Sequence, residues 1–265
     1  MKVYISADIE GVAGVTHRDE TDLNKPESLT AREQMTAEVV AACEGAKQAG
    51  ATEIWVKDAH GTGRNLIAAR LPQDVRLIRG WSGHPFMMLE GLDDTFHAVL
   101  MIGYHAGAGC ETNPLSHALA LGIARITLSD LQASEFLIHA YAAATLGIPV
   151  AFVSGDKGLC DEVTQVNSHI GTAAVKEGLG DSTISIHPVL AAARIRGGVR
   201  EALAGDLARC RVTLPSRFSL EVQYRDHFKA YLCGFFPGAQ HEDPLTVRFE
   251  SETYYEVLRF LLFTT

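Results

Sequence analysis

Residues 97–105 read His-Ala-Val-Leu-Met-Ile-Gly-Tyr-His, an apolar run with no alternation between its two faces. A strand buried on one side only would place a polar residue at every second position, so this run predicts a central strand of a parallel sheet covered on both faces. Val3–Asp8 and Pro149–Ser154 are runs of the same kind, and Glu53–Gly61 reads as a strand closing in a turn. Between the first two strands, Met35, Val39, Val40, Ala42, Cys43 and Ala46 make a helical stripe that Gly50 ends. Strand, helix, strand is the pattern of a parallel crossover.

The remaining elements follow the same logic. Val75–Gly80 predicts a short third strand, and Asn65–Leu71 and Pro85–Gly91 short helices. Leu115–Leu121 and Ile123–Leu128 suggest a hairpin around Gly122, with Ser129-Asp130 offered as the N-cap of a helix over Leu131–Leu146. Helices are expected over Asp161–Asn167 and Pro188–Leu203. From residue 211 the texture changes: 219–224 and 245–250 alternate as half-buried strands before an apolar helix over 251–263. The expectation is an α/β fold, a mostly parallel sheet with helices on both faces over residues 1–210, and a small α+β subdomain or extension over 211–265.

Composition narrows the function. A net charge of −9 with no Lys/Arg run argues against nucleic-acid binding. No apolar stretch reaches the ~20 residues of a membrane helix. The first residues lead straight into a strand without the pattern of a signal peptide, and five scattered cysteines with no C-x-x-C pair read as reduced thiols. A cytoplasmic protein is expected.

Two carboxylates mark the end of the first strand, in Ser6-Ala7-Asp8-Ile9-Glu10-Gly11. Strand alternation puts Asp8 and Glu10 on one face with Cα atoms roughly 6 to 7 Å apart. Acids held that close repel unless a cation, a shared proton or a buried partner compensates. His60 and His105 stand at the carboxyl ends of two further strands, where sites in open parallel sheets form. Imidazole mixed with carboxylate suits a borderline cation such as Zn²⁺. Glu135 offers another carboxylate, but spacing alone leaves open whether it is a ligand or a surface acid paired with His139.

Taken in order, Ser6-Ala7-Asp8-Ile9-Glu10-Gly11, Asp58-Ala59-His60, Gly103-Tyr104-His105-Ala106, Ser116-His117 and Ser134-Glu135 resemble the zinc-dependent D-aminopeptidase family associated with bacterial dipeptide-transport operons. The resemblance covers most of the first 200 residues and is weaker beyond. It implies two zinc ions per subunit, bound by the positions matching Asp8, Glu10, His60, His105 and Glu135, with His117 at the place of the catalytic histidine. It also implies homodecamers of two pentameric rings around an internal chamber, and release of N-terminal D-amino acids from short peptides. The loop 107–114 looks divergent, which leaves substrate preference open.

In the mechanism this suggests, Asp8 bridges the ions and His117 delivers a proton to the leaving amine. The family is usually described with this histidine as nucleophile; an activated water is the better physical candidate. Asp58 is a candidate second carboxylate behind His60, Asp156 and Lys157 candidate partners of a substrate terminus, and Cys110 a thiol without an evident base. Two other functions fit the same residues: a metal-dependent amidase or deacylase of cell-wall fragments, and a non-catalytic peptide-binding accessory of a transporter. Stereochemical preference, and the choice among zinc, manganese and cobalt, are not encoded in the spacing.

Overall fold

The computed structural model describes residues 1–265. The chain runs β1 (Lys2–Ala7), α1 (Arg18–Thr21), α2 (Ser28–Gln48), β2 (Glu53–Asp58), β3 (Val75–Ile78), β4 (Ala98–Tyr104), β5 (Ile123–Leu128), β6 (Leu131–Gln132), α3 (Glu135–Thr145), β7 (Val150–Asp156) and α4 (Lys157–Val166). It continues through β8 (Gly171–Leu179), β9 (Ser182–Ser185), α5 (Pro188–Ala204), β10 (Phe218–Tyr224), α6 (His227–Cys233), β11 (Ala239–Asp243), β12 (Thr246–Ser251) and α7 (Tyr254–Thr264).

The main sheet has the order β3-β2-β1-β4-β7-β8-β9, parallel except for the edge strand β9. Its central strand β4 is buried along its whole length, as its unbroken apolar run requires. On one face Val3, Ile5, Val56, Leu100 and Ile102 pack against α2 and α5; on the other Tyr4, Val99, Met101 and Tyr104 meet a core shared with α3, α7 and a second sheet. The alternation of β1 thus serves two layers at once. No helix is long and apolar enough to cross a membrane.

The second sheet is antiparallel, in the order β11-β12-β10-β5-β6. The strands and helix expected near 219–224, 245–250 and 251–263 are present as β10, β12 and α7, but they share this sheet with β5 and β6, so the layer also draws on residues 123–132. The hairpin expected around Gly122 does not form. Leu119 has φ 62° and its N–H is given to Glu135, so 115–121 is a loop with a single Ala118–Ala120 bridge, and β5 turns instead into β6. Ser129 and Asp130 make that turn with φ of 49° and 68°, the geometry of a tight hairpin and not of a helix cap. Ser134 caps α3 in their place.

Three other expectations shift. Pro85–Gly91 and Asn65–Leu71 hold only 3₁₀ turns, at Met87–Leu89 and Ala68–Arg70. The helix placed at Asp161 begins at Lys157, capped by Asp156, whose carboxylate accepts from Leu159 N–H at 3.0 Å.

The strand order explains where a site must lie. From β1 the chain steps outward to β2 and β3, then returns to the far side of β1 as β4, so the topological switch falls between β1 and β4. The loops leaving these two strands interlock: Gly11 N–H donates to Gly103 C=O at 2.8 Å, and a Cβ on Gly11 would stand 1.7 Å from Tyr104 C=O. Gly103 has φ 72° and lies so close to Asp8 C=O that a side chain there would collide with it.

Candidate metal centre and active site

Asp8 is the first residue after β1 and Glu10 lies in the turn beyond it, so the two converge through the loop and not through strand alternation. His60 follows β2, His105 follows β4, and Glu135 opens α3; all five side chains gather on the carboxyl rim of the parallel sheet. His60 Nδ1 lies 2.9 Å from Glu10 Oε2 and 3.3 Å from Asp8 Oδ1. On the other side His105 Nε2 lies 3.4 Å from Asp8 Oδ2 and 3.5 Å from Glu135 Oε2. His117 Nε2 stands 3.9 Å from Glu135 Oε1, and its ring stacks on His105 with centroids 4.5 Å apart. One ligand atom each from Asp8, Glu10 and His105 falls within a mutual 4.8 Å, and so does one each from His105, His117 and Glu135.

Each histidine spends one ring nitrogen on a backbone carbonyl: His60 Nε2 on Thr21 at 2.9 Å, His105 Nδ1 on Ala106 at 2.9 Å, and His117 Nδ1 on Leu115 at 3.0 Å. A carbonyl only accepts, so those nitrogens carry the proton and the opposite nitrogens are turned toward carboxylates. Asp8 Oδ2, Glu10 Oε2 and His105 Nε2 are buried without a hydrogen-bond partner. Lone-pair nitrogens and carboxylate oxygens aimed at one buried space, with the second ring nitrogen anchored, are the donor set of a metal site. The residues fit zinc.

The electrostatics asks for positive charge in the same place. Burial and the neighbouring Glu10 push the Asp8 carboxyl up to about 7. Burial also raises Glu10, but His60 outweighs it and holds the carboxyl well below the usual range. Burial would lower His105, yet Glu135 and Asp8 carry it up to about 10, while His105 brings Glu135 down to about 2. Of the three site histidines, His117 alone is lowered, by burial and by the charge of His105.

Outer contacts hold the set. Asn113 Nδ2 donates to Glu10 C=O at 3.0 Å and to Asp156 Oδ2 at 3.1 Å, and Asp156 Oδ2 accepts Ala106 N–H at 2.8 Å. Asn113 and Asp156 thereby clamp the loops of Glu10 and His105. Asp156 and Lys157 do not line the central cavity; Lys157 is exposed and pairs with Asp161. Asp58 does not hold the His60 ring either, because its oxygens are taken by Asn65 and Leu66 N–H groups. It acts at one remove, since Asn65 Nδ2, bonded to Asp58, also donates to His60 C=O at 2.6 Å. Glu135 is buried and faces His105, while His139 is occupied with Glu135 C=O and Met88 N–H. Burial raises the Cys110 thiol, which bonds Gln132 away from the cavity.

The cavity in front of the cluster measures about 630 Å³. Trp81, Met87, Met88, Leu119 and Leu121 form an apolar wall, and Arg18, Asp19 and Asp22 a polar one. Sequence reasoning passed over Arg18, Trp81 and Asn113. Each comes from a loop or, for Arg18, a four-residue helix too short to show periodicity, and only Trp81, a large aromatic in a Gly-flanked stretch, carried a composition signal.

A buried carboxylate–imidazole cluster on the switch-point rim of a parallel sheet, opening on a cavity of short-peptide size, defines a metal-dependent hydrolase. The chain belongs to the peptidase M55, D-aminopeptidase, family, whose profile matches residues 1–263. It is 30% identical to a D-aminopeptidase of Bacillus subtilis strain 168 over 267 aligned positions, covering 100% of this chain and 97% of that protein. Among solved structures it superposes with a TM-score of 0.92, at 29% identity, on the Zn-dependent D-aminopeptidase DppA from Bacillus subtilis, described as a self-compartmentalizing protease; 100% of this chain and 96% of that one are covered. The likeness therefore extends through the C-terminal part, further than the motifs reach, and the chain is a metal-dependent aminopeptidase.

Proposed function

We propose that the protein releases N-terminal D-amino acids from short peptides, using two Zn²⁺ ions held by Asp8, Glu10, His60, His105 and Glu135. The observation that carries this reading is the shared posture of the histidines, each with one nitrogen spent on a carbonyl and the other turned to carboxylates. Asp8 would be the ligand shared between the ions, since Oδ1 faces His60 while Oδ2 faces His105. Three carboxylates against two dications leave a small positive excess, suited to an oxyanion. Zinc bound there supplies a Lewis acid for the scissile carbonyl and brings a water's pKa toward neutrality.

The chain's own groups do the rest. His117, fixed by its Nδ1–H on Leu115 C=O, keeps Nε2 free beside Glu135 and at the cavity wall, where it takes up the proton that water releases on adding to the carbonyl and passes it to the departing amine. The apolar wall takes the substrate side chain and keeps bulk water from the reacting bond. Nothing in the cluster favours a transporter accessory or a cell-wall deacylase over this reading.

We further infer a cytoplasmic homodecamer of two pentameric rings. The five cysteines are free, four of them buried. The stretch 257–263 is mostly core, with Val257, Leu258, Phe260 and Leu261 buried. The exposed apolar face is instead on and after α6, where Phe228, Tyr231, Leu232 and Phe235 are each more than half exposed, a patch suited to a subunit contact. Metal analysis with a panel of D-Ala-D-Ala, L-Ala-L-Ala and acylated amino acids tests the activity, and light scattering the assembly. Preferential hydrolysis of acylated amino acids overturns the aminopeptidase reading of the substrate; a competent monomer overturns the ring.

A further inference from the structure

Resting on the D-aminopeptidase reading, we propose that Arg18 binds the C-terminal carboxylate of the peptide and so restricts the enzyme to very short substrates with a free acid end. Apart from imidazoles, the charged groups lining the cavity are five carboxylates and one guanidinium, that of Arg18. With Asp8, Glu10 and Glu135 matched by bound zinc, the charged side chains left to meet a peptide are Asp19, Asp22 and Arg18, and of these Arg18 alone attracts a free carboxylate.

Arg18 is built to be available. Its Nη2 donates to Leu115 C=O at 3.1 Å, which ties it to the loop that carries His117. That is its single hydrogen bond among five N–H donors. Nη1 lies 3.7 Å from Glu10 Oε1, too far for a hydrogen bond, and the side chain is 37% exposed. A counter-charge devoted to Glu10 would close onto it in a fork; this one stands off, with its remaining donors free for a planar anion.

Reach sets the length preference. One residue of extended chain spans about 3.6 Å. In a dipeptide the carboxylate lies only one residue beyond the scissile carbonyl and so stays close to the metal ligands, and Arg18, whose Nη1 is 3.7 Å from Glu10 Oε1, is the cationic side chain beside them. Each added residue carries the carboxylate one step further away.

The test compares D-Ala-D-Ala with its C-terminal amide, on wild type and on R18Q and R18K, with zinc measured on the same samples. For wild type, kcat/KM for the acid is expected to exceed that for the amide by ~10- to 100-fold, the worth of a hydrogen-bonded charge. In R18Q the ratio falls to near one, chiefly through KM, and R18K restores part of it. An R18Q protein that keeps the wild-type ratio, or loses acid and amide equally, overturns the assignment and leaves Arg18 as a counter-charge. Calorimetric binding of the reduced-bond dipeptide analogue, as acid and as amide, reads the same preference without turnover. If wild type hydrolyses no D-peptide the activity reading fails, and equal binding of the two analogues to wild type overturns the Arg18 assignment separately.

Discussion

The two halves of the cluster are made of the same parts and are built differently. On the His60 and Glu10 side, the His60 ring is 12% exposed, forms part of the cavity wall and leans on a carbonyl of the short helix α1. On the His105 and Glu135 side, His105 is 1% exposed, lies under the ring of His117 and is anchored between β4 and α3. Asp8 belongs to both. The contrast teaches that the cluster divides its tasks: the sealed half fixes position, and the open half faces the cavity.

The largest effect should come from the residue that the halves share. Asp8→Ala is expected to lose both zinc ions and all measurable turnover, exceeding the ~10- to 100-fold cost of removing a mere partner of a ligand. Glu10→Ala should lose zinc from the open half alone, so that metal analysis gives about half the wild-type content. Equal loss in the two variants breaks the comparison. Next, His117→Ala is expected to keep its zinc while turnover falls by ~10²- to 10⁴-fold, the range of a lost acid–base group. Unchanged turnover there would remove His117 from the mechanism.

Asn113→Ala sharpens the contrast, because Asn113 touches the backbone of Glu10 and, through Asp156, that of Ala106. Zinc affinity should drop by ~10-fold, more for the open half, as chelator titration would show. The smallest effect concerns the support beneath the Glu10 loop. Glu38, buried in α2, accepts Ala13 N–H at 3.0 Å, and burial pushes its carboxyl up to about 7. A raised carboxyl pKa gives stability that is full below the ordinary value near 4.5 and lost as pH rises through 7. Glu38→Gln should therefore raise the melting temperature at pH 8, by roughly 1 to 3 kcal/mol of stability, and change little at pH 4. A gain of the same size at both pH values would point to packing instead.

Much of this was legible because parallel sheets write themselves plainly. The unbroken apolar runs of β1, β4 and β7 name buried strands, and the fold rule about their carboxyl ends then gathers Asp8, His60 and His105 without coordinates. Glu135 was ambiguous because i, i+4 spacing to His139 is a helix property, whereas its burial is a property of the layers around it. The edge hairpin β8–β9, helix α6 and strand β11 were missed for a related reason: they are short or half exposed, so hydrophobic period carries little information. Ser129-Asp130 misled because an N-cap and a tight hairpin turn use the same residue types. Arg18 was invisible, since its meaning is the surplus of carboxylates around it, which only the folded cavity assembles.

The shared antiparallel layer has a consequence for how the protein is made. Asp8, Glu10, His60 and His105 all lie within the first 105 residues, on a sheet assembled from local crossovers. Glu135 sits on a helix packed against α7, just after a hairpin whose outer neighbour β10 is synthesised some ninety residues later. A chain growing from its N-terminus thus holds four of the five proposed ligands long before the fifth has its support. Completion of the cluster therefore waits on β10 and α7, which pack beside the hairpin and helix that carry Glu135.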